Sequence, residues 1–142
     1  MAILGGAGNV AGSNPAGVGS SINYVTAAGR TFAYAYSGSV IVNNTTVTAL
    51  SFNSGSNTIN AEVQLQGIIA DMGSSKKIGL IVSFDNQKIS ENIRLTNAAQ
   101  SFMDMDPLYI IIPPYTDVKI EIITDNAADI RYYATLTGEV FY

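Results

Sequence analysis

Asp104-Met105-Asp106 sets two carboxylates two residues apart, a spacing that can hold a cation. A calcium loop needs more: D-x-[DN]-x-[DN]-G followed by a later Glu, and that pattern is not in the sequence. Asp125 and Asp129 bracket a small polar stretch, where Asp serves turns by accepting backbone N–H bonds. Paired carboxylates can hydrolyse glycosides without His, but only at a fixed separation that no spacing here imposes. Gly5-Gly6-Ala7-Gly8 shares glycines with a phosphate loop, yet no strand precedes it and no Lys-Ser/Thr follows it. The chain has no Cys and no His. Thiol nucleophiles, disulfide scaffolds, zinc fingers and iron–sulfur sites are thereby excluded, as is the commonest general base. The expectation is a non-enzyme with no catalytic residue, no metal and no cofactor.

Binding chemistry is better represented. There are eight Tyr, five Phe and no Trp. In a strand, Arg131-Tyr132-Tyr133 sends consecutive rings to opposite faces, one into the core and one outward. Tyr133 shares a face with Thr135 and Thr137 and is expected to be the exposed ring, suited to a protein interface or to stacking on a sugar. Phe32, Tyr34 and Tyr36 share one face of a strand and are expected in the core.

These residues need a scaffold, and the composition bounds it. The chain has 142 residues, one domain's length. Of the charged residues, seven basic and eleven acidic, Arg30 alone falls in residues 1–61. A net charge of -4 excludes the basic footprint of a nucleic-acid binder. No run approaches the roughly 18 apolar residues of a spanning helix, and glycines interrupt the start where a signal peptide would need an apolar stretch. Membrane and nucleic acid are therefore not expected partners, and the start reads as mature sequence.

Residues 1–29 hold seven of the thirteen glycines and follow neither strand nor helix periodicity. Residues 1–30 thus read as an extended, neutral arm. Ile3, Leu4, Val10, Val18, Ile22 and Tyr24 are its candidate contacts with another protein surface, because small residues let backbones approach closely.

From residue 31 the apolar period is two. Glu62-Val63-Gln64-Leu65-Gln66 alternates cleanly; Ile78, Leu80, Val82 and Phe84 line one face; Ile89, Ile93 and Leu95 begin to line another. Val118, Ile120 and Ile122 point inward between Asp117, Lys119 and Glu121. Thr48, Leu50 and Phe52 are expected to share a face, and 97–106 could carry a helical turn. About eight antiparallel strands joined by short polar turns make residues 31–142 an all-β, jelly-roll-like sandwich, with an immunoglobulin-like sandwich as the alternative.

The C-terminal third runs from Pro107-Leu108-Tyr109-Ile110-Ile111-Ile112-Pro113-Pro114 through a polar turn to Leu136-Thr137-Gly138-Glu139-Val140-Phe141. This strand, Pro-Pro turn, strand and final strand resemble the small β-sandwich structural proteins of tailed bacteriophages. The neutral Gly-rich arm is similar to those of capsid decoration (cement) proteins. The resemblance implies a homotrimer on the outer capsid surface of a virion, with the major capsid protein as partner and no active site. A single-jelly-roll shell protein, a vertex protein and a tail or fibre component stay open within that class. A carbohydrate-binding module for host recognition is the reading from another class.

Overall fold

The computed structural model describes residues 22–68, 76–95, 102–104, 106–127 and 129–141. Eleven strands and no helix occur among them. They are β1 (Asn23–Ala27), β2 (Arg30–Tyr36), β3 (Val40–Val42), β4 (Thr46–Asn53), β5 (Thr58–Ile68) and β6 (Lys77–Phe84). There follow β7 (Gln87–Leu95), β8 (Phe102–Asp104), β9 (Leu108–Ile112), β10 (Asp117–Thr124) and β11 (Ile130–Phe141).

Two antiparallel sheets form the sandwich. In the first, β2 and β3 both pair with one edge of β11, β5 pairs with its other edge, and β8 and β9 share the far edge of β5. β1 caps this sheet beyond β2. The second sheet runs β4-β10-β6-β7. Counting β2/β3 and β8/β9 as one position each leaves eight positions plus β1. Their pairing is nested: β6 with β7, β5 with β8/β9, β4 with β10, β2/β3 with β11. That is one long antiparallel ribbon rolled into two sheets, a jelly roll.

Local chemistry sets the breaks. Asp85 and Asn86 both take positive φ, 49° and 66°, as a two-residue type I′ turn requires, and close the β6–β7 hairpin. The gap between β2 and β3 falls at Gly38, whose φ of 69° suits glycine. Ser37 bridges the gap: its N–H donates to the Ala134 carbonyl at 2.9 Å, and its Oγ accepts the Ala134 N–H at 2.9 Å.

Inner faces of both sheets supply the core. Val118, Ile120 and Ile122 are buried as their alternation requires, as are Val63, Leu65, Ile78, Leu80 and Val82. Four expectations fail. In β2 it is Ala33 and Ala35 that point inward, while Phe32, Tyr34 and Tyr36 lie on the outer face. Alternation defines two faces but not which is inner, and here the inward row is small on three adjacent strands, Ala33, Gly138 and Ala61. A Cβ on Gly138 would come 2.5 Å from the Asn60 carbonyl oxygen. In β7 an extra residue, Ile89, bulges between the Ser83–Lys88 and Val82–Ser90 pairs. The bulge inverts the faces beyond it, so Ile93 and Leu95 are exposed and Ser90, Asn92 and Arg94 stand level with the buried residues of β6. A similar irregularity at Ala49 separates Thr48 from the face of Leu50 and Phe52. Finally, within 97–106, Phe102–Asp104 is a strand paired with Gln66–Ile68 and not helical, while 97–101 and 105 lie outside the described residues.

The last part of the expected arm is also regular structure. Asn23–Ala27 forms a hairpin with β2 through Ala28 and Gly29. Residues 1–21 lie outside the described residues.

Candidate interaction face

β11 is the centre of the first sheet, and its odd-numbered residues from Arg131 to Phe141 look outward. Cross-strand registers place the neighbours of each. One row reads Asn23, Tyr34, Thr137, Glu62, Tyr109; the next reads Val25, Phe32, Glu139, Asn60, Ile111. Tyr36 stands beside Thr135 and Gln64, Tyr133 beside Gln66, and Ile41 beside Arg131. Twelve large apolar side chains are exposed among the described residues, and eight of them lie on this one face. Scattered exposed apolar residues are ordinary on a monomer, but eight gathered on one face of one sheet make that face the candidate interaction surface.

Polar groups interrupt the apolar ones in a set order. β2 on one side and β9 on the other carry rings and Ile; β5 between them carries Asn, Glu and Gln, and β11 carries Arg131, Thr135, Thr137 and Glu139 together with Tyr133 and Phe141. A shallow depression of about 440 Å³ lies across this pattern, between Phe32 and Tyr34 on one side and Tyr109 on the other, with Asn60, Glu62 and Thr137 along it. The Tyr34 and Tyr36 rings are 5.3 Å apart, tilted by 34°. At the rim, Arg30 grips Glu139 through two bonds of 2.7 and 2.6 Å, and its guanidinium sits 5.7 Å from the centre of the Phe32 ring. The hydrogen bond and the charge of Glu139 raise the pKa of Arg30 further, and the ion pair offsets this charge within the chain.

Tyr133 is 41% exposed and Tyr132 is fully buried, the division that alternation requires. Burial pushes the Tyr132 hydroxyl pKa up, against a smaller opposing effect from its bond to Thr124. Tyr24 faces inward instead, half-buried against the core, with its hydroxyl 3.4 Å from the Ser54 carbonyl oxygen. Ile22 also packs on the core. Ile3, Leu4, Val10 and Val18 lie outside the described residues. Sequence reasoning missed Phe32, Tyr34, Tyr36, Tyr109 and Ile111 as surface residues. For the last two the signal was present: in Leu108–Ile112, Ile112 is buried, and one-in, one-out alternation exposes Tyr109 and Ile111.

Three of the aspartates serve turns and loop ends. Asp125 Oδ1 accepts the Lys77 N–H at 2.7 Å, Asp129 Oδ1 accepts from Asn43 Nδ2 at 2.8 Å, and Asp85 Oδ1 accepts the Asp117 N–H at 2.9 Å. Among the described residues no three of His, Cys, Asp and Glu converge on a point where a metal could sit. At the end of the sandwich near the β6–β7 turn, buried Ser54 ties two loops together. Its Oγ donates to the Pro113 carbonyl at 2.7 Å and accepts the Thr116 N–H at 3.0 Å. Tyr115, between them, is 74% exposed at φ 56°, unusual for a bulky residue.

No protein-family model matches the chain, and no curated protein matches it. Among solved structures it is similar to a chain in a structure of infectious bursal disease virus, Gx strain, with 15% identity and a TM-score of 0.45. The likeness covers 75% of this chain and 32% of that one, so this chain spans about a third of the other's length.

Proposed function

We propose that the protein is a structural subunit of a virion, and within that class a decoration protein on the outer surface of a phage capsid. The observation that carries this reading is the outer face of the first sheet: neutral, aromatic, and built in large part from the charge-poor first half of the chain. A face of that kind favours a protein cover, because burying apolar area releases free energy in proportion to the area removed from water. A jelly roll is a frequent shell-building fold, which raises the reading only by analogy. Binding to assembled shells, and not to free capsid subunits, would stabilise the shell by mass action, and many symmetric copies would multiply weak contacts. The neutral arm supplies the second contact, with the major capsid protein as its partner.

The test is a truncation. Because β1 begins at Asn23, which is buried, the cut belongs after residue 21. The shortened protein is expected to fold and to fail to bind purified particles. Retention of the shortened protein on particles overturns the decoration reading, and electron microscopy of the particle separates surface, vertex and tail positions.

The depression favours a second reading, a carbohydrate-binding module. Rings flanking amide, hydroxyl and carboxylate groups suit a saccharide. A glycan array giving binding that is lost in Tyr109→Ala would establish it; the same loss in Tyr133→Ala would extend the site along β11.

A further inference from the structure

We propose that the outer face of the first sheet is a self-association surface, on which two copies meet about a twofold axis crossing the strands between Tyr133 and Thr135. The inference rests on the structural-subunit reading and names the occupant of the face. Its first support is charge. Arg131 and Glu62 both lie on this face, and neither is ion-paired among the described residues. Glu62 stands beside Thr137, three outward rows from Arg131, so the two are roughly 20 Å apart along the strands and cannot meet within one chain.

A twofold axis through the level of Ala134 removes that separation. It exchanges the row of Arg131 with the row of Thr137, bringing Arg131 of each copy opposite Thr137 and next to Glu62 of the other. Sheets pack about 10 Å apart, a gap that an arginine and a glutamate side chain together span. The same operation lays Tyr34 over Ile41, because Tyr34 is level with Thr137 and Ile41 with Arg131. Tyr133 of each copy then lies opposite Thr135 of the other, and the charged pair and the Tyr34–Ile41 pair each recur twice about the axis, as an isologous contact requires.

Size is sufficient. Four strand spacings by the nine residues 130–138 that the axis superposes give about 600 Å² per copy, the lower end of what a stable interface buries.

The experiment is native mass by sedimentation or light scattering on the full chain, with a charge swap. Wild type is expected at twice 15.0 kDa. Arg131→Glu and Glu62→Arg singly are expected to weaken the dimer about tenfold or more by setting like charges together, and the double swap to restore it. Circular dichroism confirms that each exposed variant keeps its fold. A wild-type monomer or trimer overturns the inference, as does a dimer indifferent to the single swaps or one that the double swap fails to rescue. Particle localisation is read separately, so a subunit found on virions as a trimer sinks this contact and leaves the structural-subunit reading standing.

Discussion

The ring of Tyr132 fills the place where a side chain on Gly67 would stand. The two are cross-strand partners on β11 and β5, and a Cβ at residue 67 would overlap Cδ1 of the ring and come 2.7 Å from Cε1. Glycine normally weakens a strand, so its presence in the longest ladder of the sheet is explained by the ring it accommodates. Gly67→Ala is expected to destabilise by about 1–3 kcal/mol, as overpacking does, in spite of the entropy it saves. Urea unfolding measures it, and an unchanged or raised midpoint would show that the ring yields freely.

The same tyrosine gives a pH dependence. Its folded pKa lies above the unfolded value of about 10, because burial disfavours the phenolate. Its stabilising effect is therefore complete below pH 10 and is lost as pH climbs through 10 toward the folded value. Unfolding free energy should fall between pH 9 and 11 by more in the wild type than in Tyr132→Phe. Parallel slopes for the two proteins would refute the assignment.

Ser54 predicts a loop effect. Ser54→Ala strips a donor from the Pro113 carbonyl and an acceptor from the Thr116 N–H, and both groups sit where the loops cross. A loss of about 1–3 kcal/mol is expected, together with faster amide exchange at Thr116. Wild-type exchange at that amide would indicate another partner.

Deleting Ile89 tests the bulge. The pairs on either side, Ser83–Lys88 and Val82–Ser90, become consecutive without any change of register. Stability should shift by roughly 0.5 kcal/mol or less, as for an exposed residue without special contacts. Collapse of the fold would mean that the twist the bulge imparts is required.

How much was legible follows from what each strand depends on. β10 and β5 were readable because their alternation is uninterrupted and one face is buried. β7 was not, because one extra residue reverses every side chain after it and leaves no mark in composition. β2 was misread for a different reason: ring size suggested the core, yet the inward row there is made of alanines and a glycine. That inversion hides most of the candidate face, since ring size alone sends Phe32, Tyr34 and Tyr36 to the interior. Tyr133 is legible as an outward ring because its neighbour Tyr132 takes the other side.

The nested ribbon also sets an order of events during synthesis. Its tip closes across two residues, Asp85 and Asn86, but each outer pair spans more chain: Asn53 to Asp117 is 64 residues, Asn43 to Asp129 is 86, and Arg30 to Glu139 is 109. The strand that joins β2, β3 and β5 is the last of the eleven to leave the ribosome. Until it arrives those three strands have open edges and the aromatic face has no sheet beneath it. Long-range pairing of this kind slows folding and leaves strand edges exposed to other nascent chains. Near-absence of charge in the first half removes the repulsion that would keep such chains apart, so soluble yield should depend steeply on how fast the protein is made.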